Sequence, residues 1–300
     1  MGDKILLVIG LLVAAAIIIT GGFGLVRGDF LGFDLFSSGP RASGPGGWFS
    51  GYGNESQTQA TNQNITSGTP VPGVPTRPGY SPYEKRIRIS TIVRPSSSTL
   101  KPDEEYVLLR NADDSSKPPI VISGWTLENS QGKRYAIEGA QKLALMDVNE
   151  TSVFFPPGAE AYVHTGPSPV GVSFRENACT GYLNENNKFS PRLSERCPRP
   201  DISKFIRFTD RCLDFMERSI STCRIPKIDE KAAGIENECS EFIDKHFKYS
   251  GCVEDYRAAS DFYQNTWQLY LKRPEKLWRS LHDLIILRDS QGLIVDTYQY

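Results

Sequence analysis

Six cysteines are the residues of this chain with the most pointed chemistry: Cys179, Cys197, Cys212, Cys223, Cys239 and Cys252. They can be oxidised in pairs, hold a metal, or stay free. Zinc sites favour sulfurs two to four residues apart, and the closest two here, Cys212 and Cys223, stand eleven positions apart. An even count crowded into one short stretch reads instead as a disulfide framework, with fifteen possible pairings. Histidines are the second group. His164, His246 and His282 are the only three. His246 shares a helical face with Cys239, Phe242 and Ile243 at i, i+3, i+4 and i+7. His164 and His282 fall in predicted sheet strands and are the weak functional candidates, able to meet across a sandwich. No nucleophile elbow, zincin pattern or phosphate-binding loop is present, and no pair of carboxylates is singled out for acid–base work. The sequence therefore names no catalytic, metal or cofactor-binding residues, and implies no cofactor.

The elements around these residues divide the chain. Residues 5–26, ILLVIGLLVAAAIIITGGFGLV, carry no charge. As a helix they would cover about 33 Å, enough for a bilayer core of about 30 Å. An uncleaved signal anchor is favoured over a cleaved signal peptide, because the apolar run is long and no small-residue cleavage site ends it. Residues 27–83 are rich in Gly, Ser, Pro, Thr and Asn. Such a segment buries too little to order itself and reads as a tether with a reach of about 40 Å. A formal net charge of −1 supplies no field for nucleic acid, and no nucleic-acid partner is expected.

From residue 84 the pattern becomes that of a sheet. Arg86–Val93 alternates, Glu105–Arg110 forms a second run, and shorter apolar runs follow at 119–122, 125–127, 134–137, 153–155 and 161–164, separated by turn residues. The expectation is an antiparallel β-sandwich. Trp125 and Trp278 are large plugs for its core. Gly124 supplies a backbone shape that other residues resist, and Asp289-Ser290-Gln291-Gly292 makes a hairpin turn rather than a calcium loop.

Glu105-Tyr106-Val107, Asn111, Ile122-Ser123-Gly124-Trp125-Thr126-Leu127 and Phe155-Pro156-Pro157-Gly158 leading to Tyr162-Val163-His164-Thr165-Gly166 resemble the first half of the lamin tail domain. Trp278, Asp283–Asp289 and Gly292-Leu293-Ile294-Val295-Asp296 resemble its closing hairpin. The resemblance covers about residues 85–166 and 265–300. It implies an immunoglobulin-like fold, used in bacteria as an add-on module of envelope and secreted proteins. The departure from the family is the cysteine-rich segment between the two halves.

The expected organisation is then a mainly β protein: residues 1–4 cytoplasmic, an anchor at 5–26, a tether at 27–83, a first half-sandwich at 84–175, a helical disulfide-rich insertion at 176–262, and a second half-sandwich at 263–300. Disulfides persist in oxidising compartments, which sets the folded part outside the cytoplasm. The expected role is a non-catalytic module with the membrane as one partner, through residues 5–26, and a protein or glycan of the cell surface as the other. An envelope hydrolase and a purely structural protein are the alternatives.

Overall fold

The structure is a computed structural model that describes residues 77–94, 101–199, 207–219, 222–228 and 234–300. The expected anchor and nearly all of the expected tether lie outside the described residues. Among the described residues no helix is long and apolar enough to cross a membrane.

The fold is mainly β. A five-stranded sheet has the order β1 (Ile87–Val93), β2 (Tyr106–Asn111), β7 (Glu160–His164), β9 (Tyr263–Tyr270), β8 (Phe174–Asn177). A four-stranded sheet has the order β11 (Ile294–Gln299), β10 (Leu284–Arg288), β4 (Thr126–Glu128), β5 (Arg134–Ala136), and β3 (Ile120–Val121) pairs with β6 (Phe154–Phe155). The shared core holds Ile87, Leu109, Trp125, Leu127, Trp267 and Leu287 among others, all 2% exposed or less. These residues come from alternate positions of facing strands, as period-two packing requires.

The antiparallel expectation needs correction at one pair. β9 runs parallel to β7, from Glu160↔Thr266 to His164↔Tyr270, so the larger sheet is mixed. A parallel neighbour cannot be reached by a tight hairpin and needs a long crossover. That crossover runs through β8, which pairs antiparallel on the far side of β9 with Asn177 opposite Tyr263, and the cysteine-rich segment between β8 and β9 is its last and longest part. Since β8 reaches Asn177, the excursion begins at Ala178 rather than at 176. At the other end of the domain, ordered structure begins inside the stretch read as tether. Ser81 donates to the Ile294 carbonyl at 2.8 Å, and the Tyr83 ring lies 5.4 Å from that of Trp125.

Asn111 shows how one buried polar side chain holds a turn. Its amide Nδ2 donates to Phe155 O at 2.9 Å, its backbone N–H to Ala159 O at 3.0 Å, and its carbonyl accepts from Gly158 N at 3.0 Å. The Pro156-Pro157-Gly158 turn is thereby tied to the end of β2. Gly124 and Gly292 have φ of 82° and 79°, the left-handed region that glycine enters without steric cost.

Gly166 is required for a different reason, namely space. A Cβ there would come within 2.7 Å of Asp103 Cα and Pro102 C, both backbone, where the Gly166 N–H donates to Pro102 O. Gly171, by contrast, has φ 82° and open space around it. Gly166→Ala is expected to lower unfolding free energy by about 2–3 kcal/mol through overpacking, against about 1–2 kcal/mol for the left-handed penalty of Gly171→Ala. Urea denaturation of the two variants checks the order.

Candidate functional site

The six cysteines form three disulfides: Cys179–Cys252, Cys197–Cys223 and Cys212–Cys239. Cys179–Cys252 spans 73 positions and closes the crossover near its two ends. The other two, spanning 26 and 27 positions, interleave inside it. Helix α1 (Asp210–Ser219) and helix α2 (Asn237–His246) are stapled by Cys212–Cys239, and helix α3 (Tyr249–Tyr256) carries Cys252. Cys239, Phe242 and Ile243 are buried on one face of α2. His246, on the same face, stacks on Phe242 at 4.4 Å, and its Nδ1 lies 2.8 Å from Asp255 Oδ2 on α3, joining the two helices. Among the described residues, the one group arranged to hold a metal ion is Cys212, Glu236 and Cys239. Its two sulfurs are bonded to each other, and Glu236 accepts from Thr209 N and Oγ1, so its chemistry is that of a cross-link.

The neck of the crossover is tied to the sheet. Ala178 N donates to Phe262 O at 2.8 Å, and Asn177 Nδ2 donates to the Tyr249 hydroxyl at 3.1 Å. Phe174 and Tyr270 of the sheet belong to the same buried cluster as Tyr182, Phe189 and Val253 of the crossover. The crossover therefore roofs part of the outer face of the five-stranded sheet.

Register defines what stands under and beside that roof. Tyr106, His164 and Tyr270 are neighbours across β2, β7 and β9, as are Leu108, Tyr162 and Gln268. The alternate residues Val107, Val163 and Leu269 face the sandwich core. His164 is 1% exposed; its ring stacks on Tyr270 at 4.5 Å and lies 5.5 Å from Tyr106. Gln268 Nε2 donates to Glu176 Oε1 at 2.6 Å, which turns Gln268 Oε1 toward His164 Nε2 at 2.8 Å. With Gln268 Oε1 as the acceptor, His164 Nε2 carries the donated proton, and the Asp103 backbone lies beside the same ring. Burial lowers the His164 pKa to about 4, more than the Gln268 bond raises it. Burial likewise pushes the Glu176 carboxyl above its ordinary range. A buried base of such low pKa takes up few protons near neutrality, and proton transfer is efficient when pKa lies near working pH. The His164–Gln268–Glu176 chain is suited to holding three strands in register under the roof.

His164 and His282 are not brought together. His282 is exposed with φ 47° ahead of β10, and no hydrogen bond or ring contact joins the two among the described residues. Trp125 and Trp278 are 1% and 3% exposed. Sequence reasoning passed over Glu176, Gln268 and the fully buried Glu105, whose Oε1 accepts from Thr165 Oγ1 at 2.7 Å and Leu277 N at 2.8 Å.

Beside the roof stands an exposed apolar loop. Leu145 is 58% exposed and Val148 93%, with Met146 between them. The loop is built to hold that shape. Leu143 N donates to Asp147 Oδ2 at 2.7 Å, Leu145 N to Gln141 Oε1 at 3.0 Å, and Ala144 is buried in the cluster under the crossover. Leu145 holds φ 63°, a conformation unfavourable for a branched aliphatic side chain.

Comparison with protein-family models, curated proteins and solved structures gives no match.

The buried histidine sets a pH dependence. Its pKa falls from 6.5 to about 4 on folding, so the unfolded chain binds the proton first as pH drops. Its contribution is full above pH 6.5 and is lost toward pH 4, amounting to about 3 kcal/mol. Glu176, raised by burial, contributes oppositely: its stabilisation is full at low pH and lost as pH rises through its raised value. The informative quantity is therefore the difference from His164→Gln. Wild-type stability is expected to fall relative to that variant between pH 6.5 and 4; curves that stay parallel would contradict a buried neutral His164.

Proposed function

We propose that this chain is a membrane-tethered, extracytoplasmic interaction module of the cell envelope, with a lamin-tail-like sandwich that displays a disulfide-locked crossover. The observation that carries this reading is the concentration of all six cysteines, as three disulfides, in one segment seated on the sheet. Disulfides of this density persist in oxidising compartments, and the 22 uncharged residues at 5–26 are long enough to span a bilayer. Together they support an arrangement with the N-terminus inside and the sandwich outside. The lamin-tail reading rests on the residue motifs, several of which have packing roles here: Trp125 fills the core, Asn111 ties the Pro156-Pro157-Gly158 turn, and Asp289 Oδ1 accepts from Gln291 N and Leu293 N in the closing turn.

An interaction role is supported by the Leu145–Val148 loop. Exposed apolar side chains on a loop that is held by its own polar bonds are a feature of contact surfaces. The partner would be a protein or a glycan-bearing envelope component meeting the side where this loop adjoins the crossover.

Full-length protein is expected to stay in the membrane pellet after alkaline carbonate, and protease added to intact cells is expected to release the folded part. Recovery in the soluble fraction, or protection of the whole chain in intact cells, would refute the topology. Leu145→Asp combined with Val148→Asp is expected to leave the unfolding midpoint unchanged while removing chemical cross-links to other envelope proteins.

A further inference from the structure

The loop of residues 141–150 carries a second feature beside its apolar side chains. Ala140 and Thr151 close its base through two backbone hydrogen bonds, both 2.9 Å. At its return stands Asn149-Glu150-Thr151. An asparagine, a residue other than proline and then a threonine form the acceptor triplet for an N-linked glycan. Asp147 lies two positions before the asparagine, which gives the longer form of the triplet that bacterial transferases read. Such triplets recur by chance, so how the fold presents this one decides its use.

The fold presents it as a free amide at the surface. Asn149 is exposed, and its side chain has no hydrogen-bond partner among the described residues. Asn111, Asn129, Asn177, Asn184, Asn187 and Asn265 all use their side chains in hydrogen bonds. No other described asparagine has a serine or threonine two positions on. Glu150, inside the triplet, reaches Lys272 Nζ at 3.7 Å. Thr151 is exposed, and its hydroxyl makes only a long bond, 3.3 Å, to Ala140 O. The triplet thus sits on a surface loop whose shape is already held by the Asp147 and Gln141 side chains, and the surface is where a bulky, solubilising group is accommodated. Leu145 and Val148, 58% and 93% exposed, are apolar surface that calls for a cover. A sugar attached at Asn149 stands directly beside Val148.

We propose that Asn149 is a glycosylation site, whose amide nitrogen takes an oligosaccharide from a polyprenyl-diphosphate donor at the outer side of the membrane. The bond from Asn149 Nδ2 to the sugar C1 forms as the C1–O bond to the diphosphate breaks. The polyprenyl diphosphate leaves with the electron pair of that bond, and one amide proton is released; nothing is oxidised or reduced. The inference rests on the proposed extracytoplasmic placement of the folded part, and it makes the loop a glycan carrier as well as a contact surface.

The test is mass spectrometry of peptides from full-length protein purified from its own cells' membranes. The peptide containing Asn149 is expected to carry added sugar mass, released as sugar fragment ions and assigned to Asn149. Asn149→Gln, at an exposed position, is expected to lose that mass without moving the unfolding midpoint. Thr151→Val keeps the asparagine and the branched shape but removes the hydroxyl, so it is expected to lose the glycan as well, while Thr151→Ser retains it. Asn149 recovered only as the unmodified residue overturns the inference, and so does a glycan that persists in Thr151→Val. Asn54-Glu55-Ser56 and Asn64-Ile65-Thr66 are further triplets of the same kind, on the same side of the anchor. Sugar on either of them with none on Asn149 overturns this inference and leaves the proposed placement standing. An unmodified Asn149 in a chain whose folded part added protease cannot release from intact cells overturns both.

Discussion

The Cys179–Cys252 disulfide is the interaction on which the rest of the molecule depends. Where β8 ends, Asn177 stands opposite Tyr263 of the antiparallel β9, yet the chain leaves the sheet between them for residues 178–262. Holding those two ends together across so long an excursion costs chain entropy that grows with its length. Cys179–Cys252 offsets that cost by removing loop freedom from the unfolded chain. For 73 positions the chain-entropy account gives about 4 kcal/mol. With both ends of the excursion fixed, its apolar residues pack against Phe174 and Tyr270, and the outer face of the sheet is covered by the same segment that connects it.

That covering explains the polar residues beneath it. A strand facing solvent can carry glutamine and histidine freely, but a roofed strand must satisfy them internally. His164, Gln268 and Glu176 do so in series. The asymmetry between them follows from burial: the histidine is kept neutral and the carboxyl is pushed up. Away from the roof, the tyrosines Tyr106 and Tyr162 on the same face remain half-exposed.

The parts legible in the sequence are those where one face is wet and the other buried. Alternation in Ile87–Val93 marks one strand, the run Tyr106–Arg110 ended by turn residues marks the next, and helical spacing around Cys239, Phe242 and Ile243 marks the helix of Asn237–His246. β8 and β9 were not legible for the converse reason. Phe174-Arg175-Glu176-Asn177 has three buried residues of four, two of them polar, and the last four residues of β9 are buried on both faces, so neither shows a period of two. Tyr80–Tyr83 lies in a Gly/Pro-rich stretch whose composition resembles the preceding tether; only its contacts with Ile294 and Trp125 draw it into the fold. The cysteine pairing was beyond reach because fifteen pairings fit the same spacing. The contact of the β4–β5 turn with residues 277–283 was invisible because it joins segments about 150 positions apart, through Asn129 and Asp283.

Disulfide mapping bears most directly on this account. Protein purified from its native membrane with thiols blocked would be digested without reduction and its cross-linked peptides identified by mass spectrometry. The account predicts Cys179 joined to Cys252, Cys197 to Cys223 and Cys212 to Cys239, with no cysteine carrying the blocking label. Six labelled cysteines would contradict both the clamp on the crossover and an oxidising compartment. Cys179 linked to any partner other than Cys252 would contradict the way the crossover is seated on the sheet.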